Sequence, residues 1–408
     1  MHNRGTISHP LTRAGYVCAL VASIAGPVRT GAANKNPIEA LTGAPAKVAW
    51  CQEHPDSVYT LACYSTLDNR GEHLVFDSLV PGNYPLITRD GSRIVYSVKE
   101  PAACYVGEWD GANGRELGVG IAVDYWADPA SGSEWVYVVP EYAPRSGPVV
   151  RRRLDDPSVE QTVWNKTETS YVFFVVSGDG TRAAGTFPWQ EWGVANLTTH
   201  TWEKFGIGCF PSIAPDNSYR SRIFDGFHRN LTLYDSTGAE HAVVNINDAP
   251  GIKGWEVYFP RWSNNPRIMT MTGPYSRGGT DSCAQSNCGT HINKAGDNVE
   301  VYLGRFNAQF TDIEHWVQLT DNRHWDSSPD VWVQPSTPIA TPRSPRTNLS
   351  TTPRPAPRTS FGPGGRLGLH IVSTAPGRHR QSVFDIRGRR LTGSSIDAAG
   401  LQSRPPER

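Results

Sequence analysis

The phrases YPLITRDGSRIVYS (84–97), FFVVSGDGTRAAGTF (173–187), FPSIAPDNSYRSRIF (210–224) and FPRWSNNPRIMTMTG (259–273) decide how this chain folds. Each sets an apolar run against a tight polar turn (RDGS, GDGT, PDNS or NNPR), and most add a second apolar run. Asp-Gly and Asp-Asn tolerate the positive φ that a tight hairpin demands, so the phrase reads as a β-hairpin. A hairpin written four times is a repeat architecture.

Spacing turns the repeat into a shape. Asp90, Asp179 and Asp216 hold equivalent turn positions, with Asn265 their nearest counterpart, at gaps of 89, 37 and 49 residues. A propeller blade of four short strands takes roughly 40–45 residues, so the first gap spans two blades. An unmarked blade is expected to start near SEWVYVVPEY (133–142). Gly, Asn, Asp and Pro recur about every 8–12 residues and helical periodicity is almost absent, so the domain reads as all-β. Residues 326–333, which end in SPDVWV, are one strand without a partner, while KVAWCQ (47–52), VYTLACYS (58–65) and HLVFDSL (73–79) offer three. Joined, they make a composite blade that closes the ring and covers its edges. The expectation is a β-propeller of six four-stranded blades, starting near 84, 134, 170, 210 and 257 besides the composite one. Seven blades is the rival count, because the last unit is long; its excess, SRGGTDSCAQSNCGTHINKAGDN (276–298), reads as an insertion loop.

These turns resemble those of TolB-like, WD-repeat-like bacterial six-bladed propellers, whose phrase is an apolar stretch, Ser-Pro-Asp-Gly, a basic residue and another apolar stretch. RDGSRIVYS, GDGTRAAG and APDNS fit it, as do the longer phrases GCFPSIAPDNS (208–218), YFPRWSNNPRIMTMTGPYS (258–276) and SSPDVWV (327–333). The resemblance covers residues 47–333 and implies the fold. It does not imply an activity, because such scaffolds host many roles.

Residues 1–33 have the pattern of a signal peptide: Arg4 and Arg13, an apolar stretch AGYVCALVASIAG (14–26), then small residues. Gly15, Tyr16 and Val17 before Cys18 do not make a lipobox, and no later segment is long and apolar enough to span a membrane. Export permits disulfides, with Cys51, Cys63, Cys104, Cys209, Cys283 and Cys288 as candidates. Cys283 and Cys288 would clamp the insertion loop, and Cys51 and Cys63 would tie neighbouring strands of the composite blade. Zinc on Cys283, Cys288 and His291 is the alternative, but a second ligand pair at the usual spacing is missing, so no metal is expected.

Net charge is zero, yet it is split: residues 334–408 hold 12 Lys+Arg against 3 Asp+Glu, leaving 27 against 36 in residues 1–333. An acidic folded part behind a leader argues against a nucleic-acid partner. The organisation expected is a leader (1–33), the propeller (34–333), a Pro/Ser/Thr/Arg-rich disordered linker (334–364) and a small β-rich tail (365–408). Within the tail, HIVSTAPGRHRQSVFDIRGRRL (370–391) resembles the FlgD-like or sorting-type Ig-like module that ends many secreted bacterial proteins. Gly377, Val383, Asp385, Gly388 and Arg389 match its phrase, but the final Gly-x-Tyr strand is missing, so the module reads as truncated.

Catalytic motifs are absent: there is no G-x-S-x-G, P-loop, H-E-x-x-H or C-x-x-C, and GPGGRLG (362–368) lies in the linker. No cofactor is expected. The candidate binding residues stand before the inner strands and in the loops beside them: Tyr84, Trp189, Trp192, Phe210, His228, Arg261, Tyr275, Arg277 and Asp330. Ring faces beside polar groups suit a sugar, although packing between blades is the usual duty of propeller aromatics. The function expected is an exported, non-catalytic binding or scaffold module for a cell-surface protein or glycan, placed outside the cell, in the periplasm or at the surface. A carbohydrate-active lyase or hydrolase working at the channel mouth is the alternative. A structural piece of a larger surface assembly is a third reading.

Overall fold

Apolar runs broken by Asp, Asn and Gly turns leave the backbone little but strands to form. The computed structural model describes residues 36–53, 59–76, 81–140, 147–169, 173–188, 191–252, 255–275 and 299–336, together with 383–384 and 390–391. A short helix comes first, α1 (Pro37–Thr42); Asn36 caps it by accepting from the Ile38 amide at 2.9 Å, and Gly43 ends it at φ 77°. Three strands follow, β1 (Ala46–Glu53), β2 (Tyr59–Ser65) and β3 (His73–Leu74).

The next five blades each run from an inner to an outer strand. Blade 2 is β4 (Asn83–Ile87), β5 (Arg93–Lys99), β6 (Ala102–Glu108) and β7 (Arg115–Val119). Blade 3 is β8 (Ile121–Ala127), β9 (Glu134–Val139), β10 (Val149–Arg153) and β11 (Glu160–Trp164). Blade 4 is β12 (Phe174–Val176), β13 (Arg182–Thr186), β14 (Glu191–Asn196) and β15 (Thr201–Ile207). Blade 5 is β16 (Cys209–Ile213), β17 (Ser221–Phe224), β18 (Asn230–Tyr234) and β19 (Glu240–Asn245). Blade 6 is β20 (Glu256–Trp262), β21 (Ile268–Tyr275), β22 (Glu300–Phe306) and β23 (Ile313–Gln318). The last ring strand, β24 (Trp325–Val333), pairs antiparallel with β1 and completes blade 1 in the order β24-β1-β2-β3. Among the described residues this is a six-bladed propeller closed by joining its two ends.

One start needs correcting. SEWVYVVPEY supplies the second strand of its blade, and the inner strand is Ile121–Ala127, IAVDYWA. Its acidic Asp124 and its turn ADPASGS, which has no Asp-Gly, hide it from a search for the repeated phrase. The stretch 276–298 interrupts blade 6 between β21 and β22 and lies outside the described residues. In the tail, β25 (Val383–Phe384) and β26 (Arg390–Leu391) pair antiparallel, where the sequence reads as a small hairpin.

The core lies between neighbouring blades, where apolar faces of adjacent sheets meet. One cluster joins Phe224, Leu231 and Leu233 of blade 5 to Val257, Met269 and Met271 of blade 6. Another joins Tyr137, Val139 and Trp164 of blade 3 to Phe174, Ala183 and Ala195 of blade 4. Helix α1 seals the closure, with Ile38 and Leu41 against Val301 and Leu303.

Two seams carry a further clamp written Asp-x-Trp. Asp330 accepts from the Ile87 amide at 2.7 Å, and the Trp332 indole donates to the Arg89 carbonyl at 2.8 Å. Asp124 and Trp126 repeat this on blade 4, accepting from Val176 at 2.7 Å and donating to Gly178 at 2.9 Å. Each indole lies on the glycine of the next blade's hairpin. A Cβ on Gly91 (φ 72°) would come within 2.8 Å of the Trp332 ring, and one on Gly180 (φ 73°) would come closer still to Trp126. The turn glycines are thus required twice, for backbone conformation and for this close approach.

The expected Cys51–Cys63 tie is not formed. Cys63 lies opposite Ala49 and Cys51 opposite Leu61, so the two are diagonal neighbours. Diagonal Cα atoms stand roughly 7–8 Å apart, beyond usual disulfide reach. Cys51, Cys63, Cys104 and Cys209 are all free thiols, and burial pushes the first two up to about 12. Cys283, Cys288 and His291 lie outside the described residues. No helix among those described is long and apolar enough to cross a membrane.

Candidate functional site

The inner strands share an irregularity that builds the channel mouth. In five blades the ladder slips by one residue near the inner strand's start, resuming at Leu86, Asp124, Ser212, Arg261 and Asp330. At four of these bulges a non-glycine residue sits in the left-handed region: Tyr84 (φ 52°), Phe210 (φ 49°), Phe259 (φ 53°) and Ser328 (φ 50°). Each is followed by a proline (Pro85, Pro211, Pro260 or Pro329), which bars the right-handed helical alternative. A bulge re-aims its side chain, and these four are half-buried in strands otherwise almost wholly buried. Left-handed aromatics cost about 1–3 kcal/mol each, strain that persists only where the surroundings impose it.

The rings so placed belong to a continuous arc. Lys99, at the end of β5, stands over the rings of Tyr84 and Tyr59 at 5.3 and 5.4 Å. Tyr59 meets Trp325 at 6.4 Å, and Trp325 meets Tyr275 at 6.4 Å while donating its indole N–H to that hydroxyl at 3.2 Å. Tyr275 contacts Tyr258 at 4.5 Å, Tyr258 meets Phe259 at 6.3 Å, Phe259 meets Phe210 at 5.5 Å and Phe210 meets Phe173 at 5.0 Å. Blades 2, 1, 6, 5 and 4 all contribute. Burial lowers the pKa of Lys99, while Cys51, Glu53 and Glu100 favour its charge.

Below the mouth an ion cluster spans the channel. Arg261 reaches from blade 6 to Asp124 of the opposite blade 3 at 3.1 Å, and to Asp330 of blade 1 at 2.9 Å. The second oxygen of each carboxylate is the one that holds the next blade's amide. Burial raises both acids, Asp124 to about 6, and Arg261 pulls them back. Fully buried Arg222 donates to the carbonyls of Phe210 at 3.2 Å and Pro260 at 2.6 Å. It thereby fastens two of the bulges, and burial together with the charge of Arg261 pushes its pKa down. The cluster holds Asp124 and Asp330 each between Arg261 and a backbone amide, which fixes these groups across the channel.

Of the sequence candidates, Tyr84 and Phe210 line the mouth, Arg261 and Asp330 form the ion cluster, and Tyr275 is a buried wall of the arc. His228 is wholly buried, 3.3 Å from Glu256 and 4.3 Å from the Tyr258 ring, behind the mouth and out of a ligand's reach. Trp192 packs between blades against Phe205 and Tyr234 at 5.2 and 4.9 Å. Trp189 and Arg277 lie outside the described residues. Tyr59, Lys99, Phe259, Trp325 and Asp124 escaped the sequence reading. The recurrent Tyr-Pro, Phe-Pro and Ser-Pro steps would have found Phe259, and the two Asp-x-Trp phrases would have found Asp124.

No protein-family model and no curated protein matches the chain. Among solved structures it is similar to TolB from Acinetobacter baumannii, at 14% identity and a TM-score of 0.47, covering 72% of this chain and 69% of that one. It is similar also to a putative TolB from Agrobacterium tumefaciens, at 13% and 0.43, covering 72% and 99%. An oligogalacturonate lyase in complex with manganese follows at 13% and 0.36, covering 67% and 72%. No residue role passes from these proteins to this chain.

Proposed function

We propose that the protein is an exported, non-catalytic propeller that binds an extended chain of a cell-surface protein or glycan at its channel mouth. The arc of rings around the mouth carries this reading. Three of these rings, Tyr84, Phe210 and Phe259, are half-buried on left-handed bulges, packed by one side and open by the other. Lys99 accompanies them with no hydrogen-bonded acceptor of its own among the described residues, and can therefore serve an anionic group of the ligand. The leader-like residues 1–33 support export, and the tail at 365–408, although its sorting-like module reads as truncated, is in keeping with a place at the cell surface.

The alternative, a lyase or hydrolase at the same mouth, draws on the raised carboxylates Asp124 and Asp330. Both already bind Arg261 and a backbone amide, which supports the non-catalytic reading. The test is a glycan array and sugar-release assays with the full-length chain, beside Phe210→Ala and Lys99→Met. Binding that both variants weaken by ten-fold or more, with no sugar released, is the expected result. Released product would establish the enzyme reading, and silence on every glycan would turn the search to a protein partner.

A further inference from the structure

Where β24 begins, a polar row crosses the ring closure. Asp326 of β24, Gln52 of β1 and Thr60 of β2 stand opposite one another in the ladders, and all three are buried. The Gln52 amide donates to Asp326 Oδ1 at 3.1 Å and to Glu72, on the connection between β2 and β3, also at 3.1 Å. Asn322, on the loop leading into β24, donates to Asp326 Oδ2 at 3.0 Å and to the same Glu72 oxygen at 2.9 Å. Two carboxyl groups therefore share the same two amide donors. The Asp326 backbone amide adds a bond to the Val299 carbonyl at 2.9 Å, so this pair sits where the closing strand is held to both its neighbours.

Among the described residues no ion pair reaches either acid. The other acids about the row are Glu300 of β22, Asp321 of the loop and Glu53 of β1; Glu300 is tied in through the Thr320 hydroxyl at 2.6 Å and the Asn322 backbone amide at 3.2 Å. Cys51 of β1, Tyr275 of β21, His324 of the loop and Lys99 of β5 complete the titratable groups there, and burial moves Cys51 and Tyr275 further from titration. Burial, with the charge of Glu72 adding to it, pushes Asp326 up to about 7 against the bonds it accepts from Asn322, Gln52 and Thr320. The Thr60 hydroxyl, wholly buried beside Gln52, has no partner among the described residues. It can accept the Gln52 hydrogen that a protonated Asp326 would shed.

We propose that Asp326 and Glu72 form a proton-operated latch on the start of β24, shut in mildly acidic solution and loosened in mildly alkaline solution. With a proton on the pair, one charge faces two amide donors. Without it, two charges share those donors in a buried seam, and their repulsion falls on the strand that closes the ring. The sign follows from the raised carboxyl. Between an ordinary 3.8 and about 7 the shut latch holds a proton that an opened strand end releases, so opening grows easier as pH rises, by up to about ten-fold per pH unit. Trp325, one residue away, belongs to the arc at the mouth, but the latch does not depend on what the mouth binds.

Hydrogen exchange read by mass spectrometry on the full-length chain tests this, as protection factors corrected for the intrinsic rate at pH 5.5 and pH 8.0. Amides of 325–328 should lose protection by about ten-fold or more between the two, while those of β13 in blade 4 should change by less than about two-fold. Asp326→Asn, which cannot ionise, should remove the pH dependence, and Glu72→Gln, at an exposed position, should reduce it. Equal protection of 325–328 at both pH values, or an undiminished loss in Asp326→Asn, would overturn the proposal. If Asp326→Asn does not fold, Glu72→Gln decides: a loss as large as in the parent chain overturns the latch, and a smaller one supports it.

Discussion

At the turn end of the inner strands, Asp90 and Asp179 bond the Ser92 and Thr181 groups of their own hairpins, and the turn glycines lie under indoles from the neighbouring blade. At the mouth end of the same strands, Tyr84, Phe210 and Phe259 hold left-handed backbone and leave their rings half-exposed. The turn end repeats Asp-capped hairpins under neighbouring indoles; the mouth end repeats a proline-followed bulge that carries a ring in blades 2, 5 and 6 and Ser328 in blade 1. Both ends hold non-glycine residues in the left-handed region, Asn113, His200, Asn217, Tyr219 and Phe310 at the turn end among them, but only at the mouth do they lie inside strands, where a bulge has to hold them. The ion cluster Asp124–Arg261–Asp330 lies between the two ends and serves both, since its carboxylates also clamp the hairpins.

Removing that shared cluster should have the largest effect. Arg261→Met leaves two buried carboxylates facing each other, and loss of one partner from a buried ion pair costs about 3–5 kcal/mol. Urea unfolding at pH 7 should show it. Asp124 is raised to about 6 in the fold against an ordinary 3.8, so the folded state holds the extra proton in this window. Its contribution to stability therefore falls as pH rises from about 4 to 6. Without Arg261 that fall should steepen and reach higher pH, and Asp124→Asn should flatten it. An unchanged pH profile in Asp124→Asn would show that another group controls it.

Breaking the turn end alone comes next. Gly180→Val forces a β-branched residue into φ 73° and against the Trp126 ring, at a cost of about 2–4 kcal/mol. Trp126→Phe keeps the ring but loses the bond to Gly178, about 1 kcal/mol. Both should lower the urea midpoint while leaving ligand affinity at the mouth within two-fold. A change in affinity as large as the change in stability would erase the distinction between the ends.

The legibility of the sequence follows the same divide. Asp-Gly and similar turns announce themselves because only a few residues tolerate that backbone, so four blades and the composite closure could be read directly. The blade beginning at Ile121 was displaced because its inner strand carries a buried Asp, which looks like a loop until Arg261 is placed opposite it. Trp192 and His228 look like ligand contacts in one dimension, and only the approach of neighbouring sheets reveals that both are walled in. Tyr59, Lys99 and Trp325 come from three separate stretches brought together by ring closure, and no local signal encodes that meeting. The NPIEALTG helix carries its Asn cap, Pro and Gly plainly, but six residues are too few to show a helical period.

The smallest expected stability effect belongs to the mouth, and it separates strain from packing. Phe210→Ala removes a half-buried ring but keeps a side chain at φ 49°. Phe210→Gly removes the same ring and also relieves the left-handed strain, so it should be the more stable of the two by about 1 kcal/mol. Ordinary strand positions give the opposite order, because glycine costs entropy there. Urea midpoints of the pair decide the matter. If alanine is the more stable, Phe210 is held by packing like any strand residue, and the mouth loses its claim to be a place where stability gives way to binding.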